Sequence, residues 1–203
     1  MDLALFYNDY TRLRSVSLPG SSCLGLSPSC LSGVLFSSDG IRIPFAFRNQ
    51  SRAENYGLEL AVHWLPNADW RVQGSYTLFD SRSLVEPGNE FAHEDPRDPR
   101  HQISLLSSWN LRSDLELSAW GRYVARTYMR VDLPGAGENS TVYVPAFLQL
   151  DARLAWHPRK NLELSVVGQN LLDGRHPESY SEFGDLPLTE IRRSLYGQIR
   201  WSF

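Results

Sequence analysis

Apolar and polar residues alternate along most of this chain. From Ile191 to Phe203, the residues Ile191, Leu195, Gly197, Ile199, Trp201 and Phe203 fall on one side. Arg192, Ser194, Tyr196, Gln198, Arg200 and Ser202 fall on the other, with Arg193 breaking the pattern. A period of two is that of a strand, because a helix would mix the two sets. The alternation recurs upstream. Leu162, Leu164, Val166 and Gly168 oppose Glu163, Ser165, Val167 and Gln169, and Leu148, Leu150, Ala152, Leu154 and Trp156 oppose Gln149, Asp151, Arg153 and Ala155. Leu115, Leu117, Ala119, Gly121 and Tyr123 oppose Glu116, Ser118, Trp120 and Arg122, and Ile103, Leu105 and Trp109 oppose Gln102, Ser104 and Ser108. Two more runs, Trp70 to Leu78 and Tyr56 to Trp64, read the same way, and Leu3 to Tyr10 adds a weaker strand.

The connections alternate between short and long. Pro66-Asn67-Ala68-Asp69, Arg112-Ser113-Asp114 and Pro158-Arg159-Lys160-Asn161 have the size and residue types of hairpin turns. The stretches at roughly 14–43, 85–99, 132–145 and 173–189 are long and rich in Gly, Pro, Ser and Asp. Every strand pair therefore closes tightly at one end and loosely at the other. An outer-membrane barrel has that organisation, with short periplasmic turns and long extracellular loops. The fold class predicted is all-β: an antiparallel up-and-down transmembrane β-barrel segment of about eight strands, each near the length that crosses a bilayer. Trp64, Trp70, Trp109, Trp156 and Trp201 all fall near the short-turn ends, as an interfacial aromatic girdle would. The competing reading, a soluble β-protein with these tryptophans in its core, leaves both regularities to chance.

Composition narrows the choice. No apolar run among the 203 residues approaches the ~18–20 residues of a membrane-spanning helix. The net charge of -3 supplies no basic field for nucleic acid. The opening Met1-Asp2-Leu3-Ala4-Leu5-Phe6-Tyr7 lacks the basic start and long apolar stretch of a signal peptide. An extracytoplasmic role thus leads us to expect a fragment or a missing natural beginning. Arg71, Glu116, Arg122, Arg126, Asp151, Arg153, Glu163, Arg192 and Arg200 lie on the polar faces. They are expected to pair with one another on a solvated wall. The interior of a closed eight-stranded barrel is just filled by side chains, so these charges favour a wider barrel. Cys23 and Cys30 share the first long loop. In an oxidising compartment they are a disulfide candidate.

Four motifs in order carry a family resemblance. Asn55-Tyr56-Gly57-Leu58-Glu59-Leu60 followed by Trp64-Leu65-Pro66, and Asp98-Pro99-Arg100-His101-Gln102, resemble strand segments of TonB-dependent outer-membrane receptors. Gly168-Gln169-Asn170-Leu171-Leu172-Asp173, with His176 and Glu178 beyond it, is similar to the penultimate-strand signature of the siderophore-receptor branch. Leu195 to Phe203 resembles the terminal strand, closing on an aromatic residue. The resemblance implies a wide barrel with an N-terminal plug domain that imports iron chelates or other scarce nutrients. Residues 1–203 would be its C-terminal barrel portion, with the plug and earlier strands absent. It implies as partners outer-membrane lipid, the barrel assembly machinery, TonB, a plug domain and a ferric siderophore or similar ligand, in the bacterial outer membrane. Tyr196, Trp201 and Phe203 would then be the C-terminal assembly signal.

The remaining chemistry is sparse. Arg97, Tyr128, Arg130, Tyr143 and Tyr180, in or beside the long loops, are candidates for holding an anionic, aromatic ferric chelate by charge and stacking. Phe91 to Asp98 gathers one His, one Glu and two Asp, which reads as a solvated acidic loop sooner than a metal site. No G-x-S-x-G, H-E-x-x-H or P-loop is present. No enzyme activity, metal or cofactor is therefore expected. Two rival functions are a self-contained eight-stranded outer-membrane structural or adhesin protein, and an outer-membrane hydrolase depending on His93.

Overall fold

The computed structural model describes residues 1–17, 35–37, 40–42, 46–84, 98–131, 140–178 and 189–203. All its regular elements are strands: β1 (Asp2–Ser17), β2 (Leu35–Ser37), β3 (Gly40–Arg42), β4 (Ala46–Asn67), β5 (Trp70–Leu84), β6 (His101–Arg112) and β7 (Leu115–Val124). They continue as β8 (Thr127–Val131), β9 (Ser140–Val144), β10 (Phe147–Arg159), β11 (Leu162–Gln169), β12 (Arg175–Pro177), β13 (Glu190–Arg192) and β14 (Ser194–Trp201). Eight of them make one sheet in the order β1-β4-β5-β6-β7-β10-β11-β14. Three two-stranded ribbons, β2–β3, β8–β9 and β12–β13, pair only within themselves and add no strand to it.

The chain divides into two compact units. One comprises residues 6–56 and 80–96. Within it the Tyr56 hydroxyl donates to Asp80 at 2.7 Å, and the Arg14 guanidinium lies 5.6 Å from the Phe47 ring centroid. The other comprises residues 1–5, 57–79 and 97–203 and contains the regular part of the sheet.

In that second unit the alternation read from sequence becomes two physically different faces. Leu154 and Trp156 on β10, Val166 on β11, and Leu195, Ile199 and Trp201 on β14 stand exposed, Ile199 at 75%. On the opposite face small residues are hidden, Ala155 at 0% exposed and Ser165 buried, while the larger Trp120 and Tyr196 remain exposed. A water-soluble sheet has the reverse arrangement, because exposed apolar area costs about 25 cal/mol per Å² in water. Among the described residues no second layer covers Leu154, Val166 and Ile199. An acyl-chain environment resolves the inversion.

Cross-strand register keeps each face continuous. Leu117 pairs with both Trp109 and Leu154, and Val166 pairs with Leu154 and Gly197. The tight turns repeat a single device. The carbonyls of Asp69, Asp114 and Asn161 accept hydrogen bonds from the backbone N–H of Asn110 on β6, His157 on β10 and Ser202 just past β14, each beyond the turn's own hairpin. The Asn67 side chain also accepts from the Asp69 N–H at 2.9 Å, the local bond that makes Asn a turn former.

The structure departs from the expected elements in three places. β1 and β4 run longer, to Ser17 and back to Ala46. Segments expected as plain loops carry the short ribbons β2–β3, β8–β9 and β12–β13. The strand expected from Ile191 to Phe203 is broken at Arg193, whose N–H donates to the Gly174 carbonyl and whose Nε donates to the Asn170 carbonyl. Ile191 and Arg192 belong to β13, so Arg192 is part of a ribbon and not of the charged wall. The cause is the residue that broke the alternation: at Arg193 the chain turns its donors toward the end of β11.

Candidate functional site: the polar wall and its loop-end rim

The polar face of the sheet carries charged side chains, and of the mutual pairings expected among them the one between Arg153 and Glu163 forms. Arg153 Nη2 donates to Glu163 Oε1 at 2.6 Å, and His157 Nε2 approaches Glu163 Oε2 at 3.2 Å. Ser118 donates to Glu116. Between β4, β5, β6 and β7 the wall holds a shallow depression of about 440 Å³, lined by His63, Gln73, Gly74 and Trp120 among others. The Trp120 indole N–H is anchored there on Ser104 Oγ at 2.7 Å.

Toward the long connections the wall gains a denser cluster. Arg122 on β7 donates from Nη2 to Glu178 Oε1 at 2.5 Å and to Gln149 Oε1 at 2.9 Å. Gln149 in turn donates to both carboxylate oxygens of Asp151. Asp151 accepts the backbone N–H of Asn170 at 2.9 Å. His176, 5% exposed, stacks on Phe147 with ring centroids 4.4 Å apart. Its Nε2 lies 3.2 Å from Glu178 Oε1. A carboxylate only accepts, so the ring nitrogen donates. Arg122 also sits over the Phe147 ring, 5.3 Å from its centroid.

The end of β11 is shaped to receive this cluster. Asn170 is 0% exposed with φ of 49°, a left-handed conformation in which Asn is enriched. Its side-chain amide donates to the Ile191 carbonyl at 3.2 Å. Gly168 just before it leaves room for the Leu171 side chain: a Cβ there would stand 2.7 Å from Leu171 Cδ2. The Gly168-Gln169-Asn170-Leu171 motif is thus a strand ending, folded so that Asn170 ties β10 to the β12–β13 ribbon.

The opposite, turn-side end is aromatic. Trp70 lies between Trp64 and Trp109, with centroid distances of 5.9 Å and 6.1 Å. The Trp70 indole N–H donates to Ser107 Oγ at 2.9 Å, which satisfies a hydroxyl on the otherwise apolar face. Trp156 Nε1 donates to Asp114 Oδ2 at 3.0 Å, and Arg112 grips the same carboxylate from Nε and Nη2 at 3.0 and 2.9 Å. The Trp156 hydrogen bond, followed by that of Arg112, holds the Asp114 carboxyl below the usual carboxylate range. Rings with one apolar body and one polar handle are what a membrane–water boundary selects.

The sequence-predicted site residues separate into three groups. Tyr128 and Tyr143 face each other across the β8–β9 ribbon with ring centroids 6.3 Å apart, and Tyr143 is exposed. Arg130 lies on the same ribbon, paired through its backbone with Thr141. Tyr196, Trp201 and Phe203 are all exposed at the C-terminus, Trp201 on the apolar side of β14, Tyr196 on its polar side and Phe203 just past its end. Cys23, Cys30, Arg97 and Tyr180 lie outside the described residues, as does His93. Among the described residues no group of three His, Cys, Asp or Glu side chains gathers as a metal site would need. Arg122, Phe147 and Asn170 were not singled out as a site from sequence. The usable signal was an Asn at a strand's end two residues after a Gly.

A one-sided antiparallel sheet with a bare apolar face, a tryptophan row at its tight turns and a charged inner wall defines an outer-membrane β-barrel wall. The family profile described as TonB dependent receptor-like, beta-barrel matches residues 1–171, and the chain belongs to that family. A probable TonB-dependent receptor of Bordetella pertussis, BfrD, is 31% identical over 142 residues, covering 67% of this chain and 18% of the relative. Among solved structures, the ferripyoverdine receptor of the outer membrane of Pseudomonas aeruginosa superimposes with a TM-score of 0.71 at 16% identity, covering 99% of this chain and 24% of that one. The siderophore receptor PiuA of Acinetobacter baumannii gives a TM-score of 0.65 at 18% identity, covering 98% of this chain and 25% of that one. The chain therefore spans about a fifth of the curated relative's length. Membership places it in the bacterial outer membrane, in a family of receptors and not of enzymes.

Proposed function

We propose that this chain forms the C-terminal strands of a wider outer-membrane barrel that takes up a ferric siderophore or a similar scarce nutrient in a TonB-dependent manner. The observation that carries the reading is the inverted sheet: an uncovered apolar face backed by a face that bears charged side chains, the Arg153–Glu163 pair among them, in a chain of this family. Such a wall suits a wide, water-filled interior, where charges stay solvated and pair at modest cost. β1 and β14 end the sheet order, and in lipid their outer backbone groups need further strands as partners. The names of the matched relatives, two of them siderophore or ferripyoverdine receptors, support the substrate class.

In this reading a plug domain fills the interior, TonB supplies the work of transport, and the barrel assembly machinery recognises Tyr196, Trp201 and Phe203 by strand addition at the β14 edge. The ribbon residues Tyr128, Arg130 and Tyr143, with Arg97 and Tyr180, meet an anionic ferric chelate. Cys23 and Cys30 close a disulfide in the first long loop. The test is uptake of radiolabelled iron by an iron-starved host carrying the intact gene. TonB-dependent uptake with a panel of catecholate, hydroxamate and mixed siderophores is expected for at least one ligand. Uptake of none, or uptake unchanged by deletion of TonB, overturns the proposal.

A further inference from the structure

The β12–β13 ribbon is fixed to the sheet at two separate places. At its base, Asn170 donates to the Ile191 carbonyl, and Arg193 bonds to Gly174 and Asn170. These contacts join chain segments that are already close to the end of β11. At its other side, Glu178 accepts from Arg122 on β7, and His176 stacks on Phe147 of β10. Those partners belong to strands that precede the ribbon by a long stretch of chain, so local geometry does not bring them together.

The second attachment is the costlier one to build. The Arg122 and Glu178 side chains are 34% and 28% exposed, so their charges are partly desolvated. Arg122 Nε and His176 Nδ1 are buried without hydrogen-bond partners, the nearest acidic atom to the latter being Asp173 Oδ2 at 3.8 Å. A patch that served packing alone would be cheaper with apolar residues, because unpaired buried polar atoms carry a desolvation penalty. What the polar version supplies is directionality: one guanidinium reaches Glu178 and Gln149 together, and so sets where the ribbon sits along the wall.

We infer that Arg122, Glu178 and His176 are positioning residues of a clasp that holds the β12–β13 ribbon against the polar wall. The clasp fixes where the chain emerges at Glu178 and Thr189, on either side of residues 179–188. That those residues then meet a ligand rests on the uptake proposal; the clasp itself does not, and it is tested without ligand.

The experiment is amide hydrogen exchange on the protein in outer-membrane vesicles, comparing residues 175–178 and 189–193 with 162–168 of β11. Glu178→Gln and Arg122→Ala are each expected to speed ribbon exchange by about tenfold or more while β11 is unchanged. Glu178→Gln changes only the ribbon, so it remains readable if Arg122→Ala assembles poorly. The charge-exchanged pair, Arg122→Glu with Glu178→Arg, is expected to restore most of the protection. Unchanged ribbon exchange in Glu178→Gln overturns the clasp, since the base contacts then suffice. Equal loosening of the ribbon and β11, or an exchanged pair as open as the single variants, overturns it as well.

Discussion

The two ends of the strands in the sheet's regular unit are held by different means. At the turn end the contacts repeat: Trp70 touches Trp64 and Trp109, and three turn carbonyls each reach beyond their own hairpin. At the loop end the contacts are single: one left-handed Asn170, one Arg122–Glu178 pair, one His176–Phe147 stack. Repetition suits a boundary that is the same all round a barrel. One-off contacts suit a place where a particular segment must sit in a particular position. The first end is thus described by chemistry common to any strand in a membrane, and the second by this chain's own residues.

The sharpest way to break the comparison is to charge the apolar face. Val166→Arg is expected to cost about 2–4 kcal/mol if it lies near the bilayer midplane, whereas Gln198→Arg on the polar face is expected to be nearly neutral. Reversible denaturant unfolding in lipid vesicles measures both; equal costs would mean the two faces meet the same medium. Next, Gly168→Val places methyl groups where Leu171 stands, with an expected cost of about 1–3 kcal/mol by the same measurement. Asn170→Ala follows at about 1–2 kcal/mol, through its left-handed backbone, and Asn170→Gly is expected to recover part of that loss. If the glycine variant is no better than the alanine one, the amide's bond to Ile191 matters more than the backbone.

The smallest effect expected is a titration at the turn end. The folded Asp114 carboxyl lies below its ordinary value, chiefly through Trp156. Its contribution to stability is therefore fully present above the unfolded carboxylate range and fades as pH falls through the depressed folded value. Trp156→Phe should move the Asp114 carboxyl titration, followed by NMR, upward toward the ordinary value. An unmoved titration would assign the depression to Arg112 alone.

Most of the sheet was legible in the sequence because its cause is periodic. Leu162, Leu164 and Val166 alternate with Glu163 and Ser165 for a reason that acts at every step, the difference between lipid and water. The tryptophans were legible for the same reason. The ribbons were not: β8 and β12 are short, and what pairs Tyr128 with Tyr143 or His176 with Ile191 is register across a long intervening segment. Ile191 fits the alternation of the last strand so well that only Arg193 hinted at the break. The role of Glu178 was hidden because its partner Arg122 belongs to a different hairpin, where it read as one wall charge among several. Asn170 alone left a local trace, as an Asn at a strand's end.

The turn carbonyls have a consequence for the wall. Asn161 finds its donor just past the final strand, Asp114 finds its donor on β10, and Asp69 finds its donor on β6. Each bond joins one hairpin to the chain that follows it, so neighbouring hairpins are stitched together at the turn end whichever of them arrives second. The turn that closes one hairpin is thereby also the clip that fixes the height of the next.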